Sequence, residues 1–276
     1  MSVLFTFPGK IGDTLHQWPL VFHWAREQQK KIVVGLEATS LGPLVRLFRN
    51  QPCVEDVAML YGIEHWGVGG QPWDFGFKTA DYDKWDAVHH MGFRAMPNKR
   101  LTLFQQNVLK VAASHSEIAE TPSLVPCASE VKKSKCVIHG TQNSGNLWRL
   151  MSECDNLIRR CFEQVVFVGS GVDLTLLEAR GLDRFDDRGD FLSLAEFISD
   201  AAMVIGCGSS VVALAGAMKV PSIRVPELHI ASDIYANLGP GQWNLQRYRD
   251  RITAIFEEVE RWKPSEMSST SSLLPT

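Results

Sequence analysis

The chain has 276 residues, 45% of them hydrophobic and 21% charged, with a net charge of −3 and a pI near 6.2. That length is too great for one compact core and suits two, within a composition ordinary for a folded globular protein. The charge balance excludes a broad basic face for nucleic acid, and no apolar run approaches the roughly 20 residues that span a bilayer.

The first residues, "MSVLFTFPGK", lack the basic onset and long apolar middle of a secretion signal, so a cytoplasmic protein is expected. The run "VLFTF" (3–7) reads as a buried strand. It leads through "PGKIGD" into "TLHQWPLVFHWAREQQ" (14–29), where Leu15, Trp18, Phe22 and Ala25 fall near helical spacing. Pro19 costs least in a first turn, so the regular helix is expected to start close to it. "KIVVGL" (31–36) is a strand and "LGPLVRLFRN" (41–50) a helix, and "VEDVAML" (54–60) and "WDAVHHM" (85–91) are further strands. This alternation predicts parallel sheets with helices on their faces.

Residues 114–134 hold two prolines and many polar residues without a period, and are read as a linker between domains spanning 1–125 and 133–263. Alternation restarts with the strand "KCVIHG" (135–140) and the amphipathic helix "LWRLMSECDNLIRRCF" (147–162). A strand "QVVFVGSG" (164–171), a helix "LSLAEFISDA" (192–201), a strand "MVIGCGSS" (203–210), a small-residue helix "VVALAGAMK" (211–219) and a strand "VPSIRV" (220–225) follow. A last helix is expected over 246–262, and residues 264–276 read as a disordered tail. None of Cys53, Cys127, Cys136, Cys154, Cys161 and Cys207 forms a C-x-x-C pair, which argues for reduced thiols at mostly apolar positions.

Three groups of residues carry chemistry. In "GKIGDTLHQWP", glycines allow a sharp turn, and a helix N-terminus offers free N–H groups to an anion. Asp13 there is either a helix cap, with His16 on the surface, or a base beside a substrate. In "VIGCGSSVVALAGAMKVPSIRV" (204–225), Gly208, Ser209 and Ser210 form either a tight strand-to-helix turn or a phosphate cradle. "VIHGTQNSGNLWR" (137–149) and "VFVGSGVD" (166–173) are strand exits rich in glycine and small polar residues that could line a pocket beside it. Asp81-Tyr82-Asp83 reads as a polar turn. His89-His90 ends a strand, and a local hydrogen bond or solvent accounts for it unless it faces an acceptor. Trp66, Trp73, Phe75, Phe77, Trp85 and Phe93 read mainly as core or loop anchors.

Taken together, the first two motifs resemble the lipopolysaccharide heptosyltransferases. "GKIGDTLHQWP" is similar to their glycine-aspartate turn, and 204–225 to their donor-binding strand-turn-helix with its alanine-rich helix and following "VP". The resemblance covers most of the chain but is poor in the middle of the first domain, and the chain is shorter than that family leads one to expect. It implies an α/β fold of two Rossmann-like domains whose parallel sheets face a central cleft, the glycosyltransferase-B arrangement.

The activity so implied is metal-independent transfer of a sugar from a nucleotide-diphosphate sugar to an acceptor hydroxyl, with inversion. No cofactor is expected beyond the donor itself, and no metal. Asp13 would be the base, its pKa raised by donor phosphates. Gly140, Thr141, Arg149, Gly169, Ser170, Gly208, Ser209 and Ser210 would hold the donor, and Lys10, Gly12, His16 and His89 would line the acceptor side. The chain departs from the family pattern at Gly208 (usually aspartate), Ala213 (usually histidine) and Asn146 (usually basic), with Arg149 a turn away as a substitute charge. These departures keep two other readings open: a silent nucleotide-sugar-binding protein, and a nucleotide-sugar hydrolase or epimerase.

Overall fold

A computed structural model describes residues 3–7, 11–61, 84–91, 123–125, 134–140, 144–169, 174–186, 189–207, 210–225, 242–244 and 254–256. Among these, two sheets form, and every strand pair in both is parallel.

The first sheet has the order β3-β2-β1-β4, from β1 (Val3–Phe7), β2 (Ile32–Glu37), β3 (Val54–Leu60) and β4 (Ala87–His90). Every residue of β1 and β2 is buried, as expected of strands covered on both faces. Strand β3 lies at the edge and exposes Glu55 and Asp56, charges that discourage pairing with another chain. Helix α1 (Ile11–Glu27) joins β1 to β2, and a short 3-10 turn (Gly42–Leu44) runs into α2 (Val45–Arg49).

The second sheet has the order β10-β9-β8-β5-β6-β7. Its strands are β5 (Lys135–His139), β6 (Gln164–Val168), β7 (Asp183–Phe185), β8 (Met203–Cys207), β9 (Ser222–Val225) and β10 (Gln242–Asn244). Helices α3 (Gly145–Cys161), α4 (Leu174–Ala179), α5 (Phe191–Ser199) and α6 (Ser210–Met218) connect them. In α3 the predicted stripe holds: Leu147, Leu150, Met151, Cys154 and Ile158 are buried. Arg149–Glu153 and Arg159–Asp155 pair one turn apart on its exposed side. The N-cap of α5 is Asp190, which accepts the Leu192 N–H at 3.2 Å and the Ser193 hydroxyl at 2.8 Å. Of the helix expected over 246–262, residues 254–256 are described and are helical.

Three observations depart from the sequence reading. Helix α1 begins at Ile11, so Pro19 lies well inside it. An internal proline forfeits a backbone hydrogen bond and costs about 3 kcal/mol. Complete burial of Leu15, Trp18, Leu20 and Val21 along the same helix outweighs that local cost.

The two sheets also do not keep separate apolar interiors. One buried cluster runs from β1, β2, α1 and α2 into α5, α6 and one face of β5, β6 and β8. At its centre α1 packs directly on α6. A second cluster fills the other face of the second sheet, under α3, with Ile255 and Phe256.

Finally, the described part of the expected linker is clamped. The Trp18 indole N–H donates to the Ser123 carbonyl at 2.5 Å, and the Ser123 N–H donates to the Ala217 carbonyl at 2.8 Å. The Gln51 amide mimics a strand partner, exchanging bonds of 2.7 and 2.8 Å with the Val125 backbone. A salt bridge between Arg46 of α2 and Asp190 of α5 adds a polar tie between the halves.

Candidate functional site

In a parallel sheet every strand points its carboxyl end the same way, and ligands of open α/β folds gather at that edge. Most of the candidate residues that the structure describes lie there. Asp13 sits in the first turn of α1, immediately after β1, and is partly exposed. It is the third residue of the helix and not its cap, which overturns the capping alternative. The positive end of the helix dipole favours a carboxylate at this place. The Asp13 carbonyl accepts the Gln17 side-chain amide at 3.1 Å. Gly12 precedes it in the same turn, and Lys10 lies outside the described residues.

His16, one turn further along, is buried and not on the surface. Burial, helped by the positive charge of Arg224, lowers its pKa to about 3, so the imidazole is neutral across the physiological range. An unfolded histidine takes up its proton near pH 6.5. Below that value the unfolded chain binds a proton that folded His16 refuses, so stability falls with pH until about 3, where the folded ring protonates as well. Above pH 6.5 the effect vanishes. At pH 5 this residue alone is expected to cost about 2 kcal/mol. Urea unfolding of the wild type and His16→Gln at pH 7.5 and pH 5 checks it: the variant should lose that much less between the two.

On the second sheet, Gly140 follows β5 and is buried, and Gly169 follows β6. Gly169 has φ +144°, a conformation that side chains rarely adopt, and a Cβ there would stand 2.9 Å from the Gly140 carbonyl oxygen. A Cβ on Gly206 of β8 would stand 2.9 Å from the His139 carbonyl oxygen and 3.0 Å from Val212. The chain's own close packing therefore demands glycine at both places. Ser210 opens α6 and is partly buried. Thr141, Ser170, Gly208 and Ser209 lie outside the described residues, as do Cys127, Asp81-Tyr82-Asp83 and the aromatics Trp66, Trp73, Phe75, Phe77 and Phe93.

Two candidates are engaged elsewhere. Arg149 is exposed on α3, and its Nε donates to Glu153 at 2.7 Å. His89 lies within β4, in register with Phe5. Its ring stacks on Phe5 at 4.7 Å between centroids and tilts against Trp24 at 5.4 Å, and burial lowers its pKa. Ala213, where the resembled family has histidine, is buried in the cluster that joins the two halves.

Two residues were missed. Glu37 ends β2 and is buried; its carboxylate accepts the Thr39 and Ser40 N–H groups and the Ser40 hydroxyl at 2.7–2.8 Å. Burial would raise its pKa, but these bonds more than offset that and hold it below the usual carboxylate value. Arg224 of β9 is the one buried arginine or lysine among the described residues. Its signal was present in the sequence: a lone charge inside the apolar strand "SIRV".

Among the described residues, no group of three or more histidine, cysteine, aspartate or glutamate side chains could hold a metal ion. No described helix is long and apolar enough to cross a membrane. The five described cysteines are free thiols, and burial raises the pKa of Cys53 to about 11.

The architecture defined by these two parallel sheets is that of the glycosyltransferase-B fold, and the solved structures similar to it are glycosyltransferases. ADP-heptose lipopolysaccharide heptosyltransferase II of E. coli superposes with a TM-score of 0.60 at 12% identity, over 94% of this chain and all of its own. E. coli heptosyltransferase WaaC with ADP gives 0.59 at 14% identity, over 94% of this chain and 100% of its own. The dodecameric iron-containing glycosyltransferase TibC of enterotoxigenic E. coli gives 0.54 at 13% identity, over 87% of this chain, which spans only 61% of TibC. No family model and no curated protein sequence matches the chain. The resemblance read from the two motifs is thus met at the level of the fold.

Proposed function

We propose that this protein is an inverting, metal-independent glycosyltransferase that uses a nucleotide-diphosphate sugar. The observation that carries the reading is the place of Asp13 in a glycosyltransferase-B fold: it heads the helix that leaves the first sheet and packs on the helix that leaves β8. In this reading the two sheets belong to an acceptor-side domain and a donor-side domain, with the site between their carboxyl edges.

The Asp13 carboxylate takes the proton of an acceptor hydroxyl as that oxygen attacks the anomeric carbon. The new glycosidic bond forms on the face opposite the departing diphosphate, and the bond from the anomeric carbon to the phosphate oxygen breaks. The nucleoside diphosphate leaves with the electron pair. Backbone N–H groups and hydroxyls at the start of α6 stabilise that growing charge. The acceptor is a glycan or another hydroxyl-bearing molecule.

A thermal-shift panel of nucleoside diphosphates and nucleotide sugars tests the reading. One base and one sugar should raise Tm by mass action well above the rest. A flat response to the whole panel at millimolar concentration would discard it. A second reading, a nucleotide-sugar-binding protein without transfer, is favoured by Ala213, whose side chain fills the interior where the resembled family carries histidine. That reading predicts the same thermal shift with no turnover.

A further inference from the structure

We propose that His139 is a positioning residue of this site: its imidazole ties the carboxyl ends of β5 and β6 together and so sets the spacing of the two glycine exits that meet a nucleoside diphosphate. This rests on the reading that such a nucleotide binds at the carboxyl edge of the second sheet.

His139 is the last residue of β5, which has β8 on one side and β6 on the other. Its partners in register are Gly206 and Val168, and it meets both. Its Nδ1 donates to the Val168 carbonyl at 2.8 Å. Its own carbonyl oxygen stands 2.9 Å from where a Cβ on Gly206 would lie. One residue therefore joins the strands that run into Gly140, Gly169 and the turn at Gly208.

The ring's tautomer follows from its partner. A carbonyl only accepts, so Nδ1 carries the proton. Alternation along β5 sets the ring's direction as well. Ile138 belongs to the cluster under α3 and Val137 to the cluster shared with α1, so His139 lies on Val137's face of the sheet. On that face its neighbour on β8 is a glycine, which leaves the space beside it without a side chain.

What the bond holds is a close approach of two backbones. Val168 immediately precedes Gly169, whose φ of +144° suits glycine, and His139 immediately precedes Gly140. A Cβ on Gly169 would stand 2.9 Å from the Gly140 carbonyl oxygen, so the two exits nearly touch just beyond the tie. Neither glycine has a side chain with which to lock its own turn. Backbone N–H groups recognise a phosphate well only when they are held in place beforehand.

The test uses the full chain and isothermal titration with ADP, GDP, UDP and CDP, well below the melting temperature of each variant. His139→Asn puts an amide N–H close to the position of Nδ1 and keeps the tie. His139→Gln puts it one atom further out, and His139→Leu removes it. His139→Asn should bind the preferred nucleoside diphosphate as the wild type does. His139→Gln and His139→Leu should bind it at least about tenfold more weakly. A bond that served only the sheet would lower Tm in those two variants and leave the affinity of the folded protein unchanged, a result that overturns the role of His139. Equal weakening in His139→Asn and His139→Gln overturns it too, because the ring and not the tie would then be what matters. Should His139→Leu not fold, the contrast between the two amide variants decides. In all these cases the wild type still binds nucleotide and the glycosyltransferase reading stands. A wild type that binds none of the four nucleotides overturns both.

Discussion

Asp13→Asn is expected to abolish most sugar transfer, by about 10²–10⁴-fold, while nucleotide affinity stays as it was. The substitution is nearly isosteric and removes the negative charge and with it the ability to accept a proton. Asp13 is partly exposed in the first turn of a 17-residue helix, so losing the favourable charge–dipole contact costs the fold about 0.3–1 kcal/mol. The protein should therefore remain folded and able to bind. Steady-state transfer assays paired with calorimetric titration of the nucleotide check both halves. Donor hydrolysis that continues at the wild-type rate without any acceptor would point to a hydrolase. A wild type that binds nucleotide and turns nothing over would point to the silent binder.

The second large effect concerns stability. Trp18→Ala is expected to destabilise the protein by about 3–5 kcal/mol. Trp18 is fully buried, its ring lies 4.5 Å from that of Phe48, and its N–H is satisfied by Ser123. It sits where α1, α2 and the 123–125 segment meet. Trp18→Phe keeps most of the packing and leaves the Ser123 carbonyl without this donor, a loss of about 1–3 kcal/mol. Urea denaturation of the three proteins separates the two contributions. Equal stability of the alanine variant and the wild type would contradict the packing described.

Much of the fold was legible because it is written in local pattern. Strand β3 matches the expected run 54–60 residue for residue, and the stripe of α3 needs only its own spacing to be recognised. The start of α1 was not legible. Pro19 argued for a later start, and the interaction that outweighs it is burial against α6, almost 200 residues away in the chain. The shared interior was hidden for the same reason. A polar, proline-containing segment reads as a linker, and nothing local reveals that Ser123 and Val125 are held by Trp18, Ala217 and Gln51.

The candidate site divides in a similar way. Asp13 was legible as one of two alternatives, and the helix start decides against the cap. His16 looked like a surface residue, yet it is buried, because α1 packs on a helix far away in the chain. Arg224 was visible as a lone charge inside an apolar strand, yet its burial was not. Arg149 fitted by spacing alone, and its partner in the structure is Glu153.

The glycines at the ends of β6 and β8 have a consequence for how such a protein could change its ligand. At Gly169 and Gly206 the volume a side chain would occupy is already taken by a neighbouring carbonyl. Mutation cannot put a new recognising group at either position without deforming the sheet. At these two places the rim of the sheet is therefore bare backbone, and recognition there falls to peptide groups alone.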